Sequence, residues 1–157
     1  MSRRRRAVAR PVRPDVRFQS PLVGRLVNTV MKGGNRTVAH GIVYTAFDTL
    51  AEKQPGAAPL EILARAVENA KPRLEVKSRR VGGATYQIPL EVPPDRQLAL
   101  ALRWMVESAK SRKGIPMREA LANEILEAYS GQGNCIRRRD ETHRMAQANK
   151  AFAHFRW

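Results

Sequence analysis

Cysteine occurs once in this chain, at Cys135, and histidine three times, at His40, His143 and His154. A lone cysteine excludes an intrachain disulfide and a thiolate metal cluster, and it fits a reducing, cytoplasmic setting. The histidines are too scattered for a metal site, and neither HExxH nor CxxC is present, so no metal or other cofactor is expected. No apolar run approaches the ~20 residues needed to span a bilayer. The N-terminus opens basic but has no apolar signal-peptide core. The Gly131-Gln132-Gly133 loop is not followed by Gly-Lys-Ser/Thr, and neither a dinucleotide fingerprint nor an internal repeat occurs. An enzyme acting on a small-molecule substrate is therefore a weak reading. Acidic residues are the last scarcity: 14 Asp+Glu stand against 29 Lys+Arg, for a net charge of +15. That imbalance describes partners rather than fold, and it favours a polyanion, nucleic acid before an acidic membrane surface.

What is present is enough for one globular domain. The 157 residues are 43% hydrophobic and 27% charged, which suits a single real core. Residues 1–17 stand apart as a basic arm: seven arginines oppose one aspartate, and Pro11 and Pro14 exclude a continuous helix. Such a block is expected to order on a polyanion. Residues 18–157 read as one mainly α, bundle-like domain of about six helices.

Ser20-Pro21 opens the first helix, with Ser20 expected as N-cap, and Val23, Leu26, Val27, Val30 and Met31 form its apolar stripe. The second spans about 36–53, with Ala39, Ile42, Val43, Ala46 and Leu50 inward. The third spans about 59–70 and stops before Pro72. A fourth, about 95–110, carries Leu98, Leu102, Met105, Val106 and Ala109 on one side. Arg96, Arg103 and Lys110 repeat every seven residues on another. Trp104 lies on neither strip and reads as a partly buried anchor. A fifth helix runs from Pro116 to about Tyr129. The last, about 136–153, has a thin apolar face of Met145, Ala148 and Phe152. Cys135 sits beside Arg137, Arg138 and Arg139, which could lower its pKa, although a structural thiol is the expectation.

The exception to helix is about 73–92, a protruding β-hairpin. Leu74 and Val76 alternate with charged residues, and Tyr86, Ile88, Leu90 and Val92 alternate with Thr85, Gln87, Pro89 and Glu91. If the apolar sets must face each other, Val76 opposes Leu90 and Ser78 opposes Ile88, with a three-residue loop at 82–84. A two-residue turn would mix the faces.

The run KPRLEVKSRRVGGATYQIP, the later LALRWMVESA and the ending MAQANKAFAHFRW together resemble bacterial small-subunit ribosomal protein seven, and the resemblance extends over essentially the whole chain. It implies a structural constituent of the ribosome that binds 16S-type rRNA directly and nucleates the head, or 3′ major domain. It also implies a place at the subunit interface near the decoding region, with the hairpin close to exit-site tRNA and mRNA. Small-subunit proteins nine and eleven would be protein neighbours. The residues alone reach only a basic, helical nucleic-acid-binding protein, and a nucleoid-type DNA-binding protein stays open on that ground.

The candidate RNA contacts are the arm's Arg3, Arg4, Arg5, Arg6 and Arg10, and Lys32 and Arg36 around the first inter-helix turn. Arg73, Lys77, Arg79 and Arg80 belong to the hairpin, and Arg96, Arg103, Lys110, Arg112 and Lys113 to the fourth helix and its loop. They come from distant stretches, so a folded body must hold them at fixed spacing. Deleting residues 1–10 should lower RNA affinity without unfolding the domain. A far-ultraviolet circular-dichroism spectrum that collapses on deletion would contradict the reading of an arm.

Overall fold

The computed structural model describes residues 11–155. Arg3, Arg4, Arg5, Arg6 and Arg10 therefore lie outside the described residues. The order is α1 (Pro21–Val30), α2 (Arg36–Lys53), α3 (Pro59–Ala70), β1 (Leu74–Val81), β2 (Ala84–Glu91), α4 (Pro94–Ser111), α5 (Met117–Tyr129) and α6 (Asn134–Ala148), followed by a 3₁₀ turn (Lys150–Phe155). The mainly helical reading with one hairpin holds. Proline sits in the first turn of α1, α3 and α4, where its missing N–H leaves no intrahelical bond unmade. Ser20 stands before α1 as expected but makes no side-chain cap bond. Its carbonyl instead accepts the N–H groups of Gly24 (3.2 Å) and Asp15 (3.1 Å).

α5 is the central helix, packed against α2, α3, α4 and α6. Ala120, Leu121, Ala122, Ile125 and Ala128 are all buried, and the alanines let neighbouring helices approach closely. Leu26, Phe47, Leu50, Ile62, Leu63 and Met105 fill the remaining core. Each such side chain contributes roughly 1.5–3 kcal/mol on burial. Phe47, which the stripe on α2 omitted, is buried, and Trp104 is buried on α4.

The last helix differs from expectation. α6 begins at Asn134, ends at Ala148 and gives way to the 3₁₀ turn. Its buried residues are Cys135, Ile136 and Ala146, whereas Met145 is 53% exposed. Only its first turn enters the core, so the stripe drawn through Met145 and Ala148 faces outward. Phe152 instead reaches the hairpin, with its ring 5.1 Å from that of Tyr86.

The hairpin register also corrects the sequence reading. Val76 pairs with Pro89, Lys77 with Ile88 and Arg79 with Tyr86, the arrangement of a two-residue turn at Gly82-Gly83. Both glycines have positive φ, +58° and +92°, as a type I′ turn requires and as only glycine accepts readily. Burial specifies register where one whole face is covered. This ribbon is covered in patches, by α6 at its base and the 3₁₀ turn along β2, so turn chemistry decides. Glu75, Lys77 and Arg79 consequently share a face with Tyr86, Ile88 and Leu90.

At the α4–α5–α6 junction, Glu124 is fully buried. It accepts from Arg112 (2.7 Å) and from the backbone N–H of Cys135 (2.9 Å), while Glu127 holds the same guanidinium at 2.6 Å. Glu124→Ala should lower unfolding free energy by about 2–4 kcal/mol in urea titrations, because the buried Cys135 amide loses its acceptor and the partly buried Arg112 loses one of its two carboxylates.

Candidate nucleic-acid interface

The exposed cations fall into groups that helix geometry explains. On α4, Arg96, Arg103 and Lys110 are all exposed, and at 1.5 Å per residue the strip runs about 21 Å. On α1, Arg25 and Asn28 lie one turn apart and share a face, with Lys32 two residues beyond the helix end; Arg25 is half-buried and lies 3.9 Å from Asp95. The two faces meet: Arg25, Asn28 and Thr29 of α1 line one cleft with Ala99, Leu102 and Arg103 of α4. Asn28 also borders a second cleft, shared with Pro11, Val12, Arg13 and Arg36. Arg13, Arg25, Arg36 and Arg103 thus surround adjoining hollows although they are far apart in sequence.

Lys32, Arg80, Arg103, Lys110 and Lys113 are exposed and form no ion pair with another described residue. Among the described residues no carboxylate neutralises their charge. Arg36 is exposed, with its Nε–H donating to His40 Nε2 at 3.2 Å. Arg73 is exposed, while its backbone N–H donates to His143 Nε2 at 2.9 Å.

Other nominated cations are already engaged. Arg96 binds Glu75 at 2.8 and 2.9 Å, tying α4 to the hairpin base while half of its side chain stays exposed. Lys77 lies 3.7 Å from the same carboxylate. Arg79 is half-buried and donates to the Phe155 carbonyl at 2.6 Å. Arg112 is the clearest departure: Glu124 and Glu127 hold it, and they raise its pKa further. A guanidinium used in this way joins the body together rather than facing a ligand.

Cys135 is fully buried, and desolvation followed by the Glu124 charge pushes its thiol up to about 12. The neighbouring arginines do not activate it. Arg138 instead reaches Glu107 and lies 5.6 Å from the Trp104 ring centroid. Among the described residues no group of three or more His, Cys, Asp or Glu could hold a metal ion, and no helix is long and apolar enough to cross a membrane.

A basic helical body with an arginine-bearing ribbon suits RNA, and comparison with known families decides among such proteins. The family model described as Ribosomal protein S7p/S5e matches residues 2–150. The chain belongs to that family. It is 57% identical over 157 residues, all of both chains, to small ribosomal subunit protein uS7 of Akkermansia muciniphila. It is 55% identical over 155 residues, 99% of each chain, to the protein of that name from Thermotoga maritima. To the Dictyoglomus turgidum protein, again uS7, it is 54% identical over the whole of both chains. As an S7p/S5e protein it is a constituent of the small ribosomal subunit, a structural and RNA-binding rather than an enzymatic role.

Within this S7p/S5e chain, Arg25 and Arg13 are the cations that reading the sequence left out. Arg25 had a signal in its seven-residue spacing to Lys32. Arg13 had none, because it was counted within the arm. On α6 the exposed Arg137 and Arg144 repeat the same seven-residue step.

His143 provides a pH test of the hairpin base. Desolvation first, then the Arg139 charge, lowers its pKa below the ordinary value near 6.5. The folded state therefore prefers neutral imidazole, which accepts the Arg73 N–H. That stability is present above about pH 6.5 and is lost as pH falls toward the lower folded value, where the unfolded chain binds more protons. Hydrogen exchange at the Arg73 amide, corrected for its intrinsic pH dependence, should show protection falling between pH 7 and 5, and His143→Gln should reduce that response.

Proposed function

We propose that this S7p/S5e protein binds small-subunit rRNA directly through the α1–α4 basic face and the hairpin, and nucleates folding of the 3′ major domain, the head. The observation that carries this reading is the convergence of Arg13, Arg25, Arg36 and Arg103 around two adjoining clefts, with Lys32 and Lys110 extending the face. Open clefts ringed by guanidinium groups suit phosphates of an RNA backbone. A-form major grooves are too narrow for side chains to read, so RNA shape rather than base sequence supplies the specificity.

The arm, the α1–α4 face and the hairpin engage separate RNA helices, and bridging them stabilises their junction. The exposed Arg80 beside the Gly82-Gly83 turn is the hairpin's contact with rRNA, exit-site tRNA or mRNA. Arg79 acts one step back, bracing the ribbon against the C-terminal segment through Phe155. The assignment to small-subunit proteins nine and eleven as neighbours rests on the family resemblance.

Neutralising Arg36 and Arg103 together to Gln should weaken binding to a 3′ major-domain transcript. It should also reduce the magnitude of the log–log salt slope by roughly 1.5, from about 0.7–0.9 per phosphate contact. The thermal melt should stay near that of the unaltered chain. Arg112→Gln should do the reverse, lowering the melt with little change in slope. Equal affinity of the unaltered chain for duplex DNA at matched salt would favour a nucleoid-type protein and overturn the rRNA reading.

A further inference from the structure

Gly24 lies in the middle of α1, where glycine costs about 1 kcal/mol relative to alanine. The reason for it is steric. A Cβ on Gly24 would stand 2.6 Å from the Arg13 carbonyl oxygen and 3.7 Å from Val12 Cγ1. The chain before α1 therefore crosses directly over the helix, closer than any side chain permits.

A buried carboxylate holds the same crossing. Asp15 is 1% exposed. Its Oδ2 accepts the backbone N–H groups of Arg17 (3.0 Å) and Phe18 (3.1 Å), and its Oδ1 accepts the Tyr44 hydroxyl of α2 at 3.0 Å. His40 Nδ1 lies 3.3 Å from Oδ1. Phe18 packs edge-on against Phe47 at 4.9 Å, and Arg17 pairs with Asp48 at 2.7 Å. Burying a carboxylate is costly unless its hydrogen bonds are supplied, and here they are supplied in a form that permits one chain path. That path brings Pro11, Val12 and Arg13 to the cleft bordered by Asn28 and Arg36.

We propose that Asp15 and Gly24 are positioning residues for RNA binding, fixing a strap over α1 that starts the arginine-rich arm from the rim of the basic face. The arm and the face then engage neighbouring helices of one RNA as linked sites, with the strap setting where the arm begins. The proposal rests on the rRNA reading above and goes beyond it by assigning a role to residues that touch no RNA.

The experiment uses full-length chains: unaltered, Gly24→Ala, Arg3, Arg4, Arg5 and Arg6 all changed to Gln, and the combination. Affinity for a 3′ major-domain transcript is measured across salt concentrations. Gly24→Ala should weaken binding by on the order of three- to tenfold through lost effective concentration. Once the arm is neutralised, the same substitution should add little. Hydrogen exchange should quicken at the Arg17 and Phe18 amides while α3 and α5 stay protected. Should Gly24→Ala expose α5 as well, the series with Asp15→Asn decides, since it removes the carboxylate without adding volume.

Losses that simply multiply, or a loosened strap with unchanged affinity, would overturn the proposal while leaving rRNA binding intact. An unaltered chain that shows no preference for the transcript over duplex DNA would overturn the rRNA reading and this proposal together.

Discussion

Glu124 places a fully buried carboxylate inside the molecule, on the helix that most others pack against. Its two oxygens reach the loop after α4, through Arg112, and the start of α6, through the Cys135 amide. Three elements are joined by the need to neutralise one carboxylate. Glu127 completes the cage around the guanidinium. Because a buried ion is tolerable only with its partners in place, the arrangement specifies where α6 leaves α5 more sharply than the thin apolar face of α6 could. The hairpin depends on that placement in turn, since His143 of α6 holds the Arg73 amide and the 3₁₀ turn holds Tyr86 and Arg79.

The body so formed supports a surplus of positive charge that works against its own compactness. Acids are spent locally: Asp48 on Arg17, Glu75 on Arg96, Glu107 on Arg138. Among the described residues, cations without such partners include Lys32 just past α1, Arg103 and Lys110 on α4, and Arg80 near the hairpin tip. A chain net positive by 15 thus presents patches rather than a uniform shell, and patches at fixed spacing are what a folded RNA can recognise by shape.

Helices were legible because each carries its own period and its own stops. α2 and α3 occupy the spans that their apolar spacing and flanking Pro and Gly residues indicate. The hairpin's existence was legible from alternation, but its register was not. Apolar matching proposed a three-residue loop, whereas two positive-φ glycines and an incompletely covered ribbon set a two-residue turn. α6 was misjudged at its C-terminal end for a related reason: Met145 and Ala148 have the spacing of a buried stripe with no element beneath them.

Composition, charge and periodicity by themselves determined a mainly helical, basic, nucleic-acid-binding domain with one ribbon, because these properties are local and additive along the chain. Which arginines face outward was decided only by tertiary structure. Arg103 and Arg112 lie nine residues apart and look equivalent in sequence. One lines an open cleft with Arg25; the other is enclosed by two glutamates contributed by α5. A cation's role depends on whether a carboxylate from elsewhere in the chain arrives within hydrogen-bonding distance, and no local pattern records that arrival.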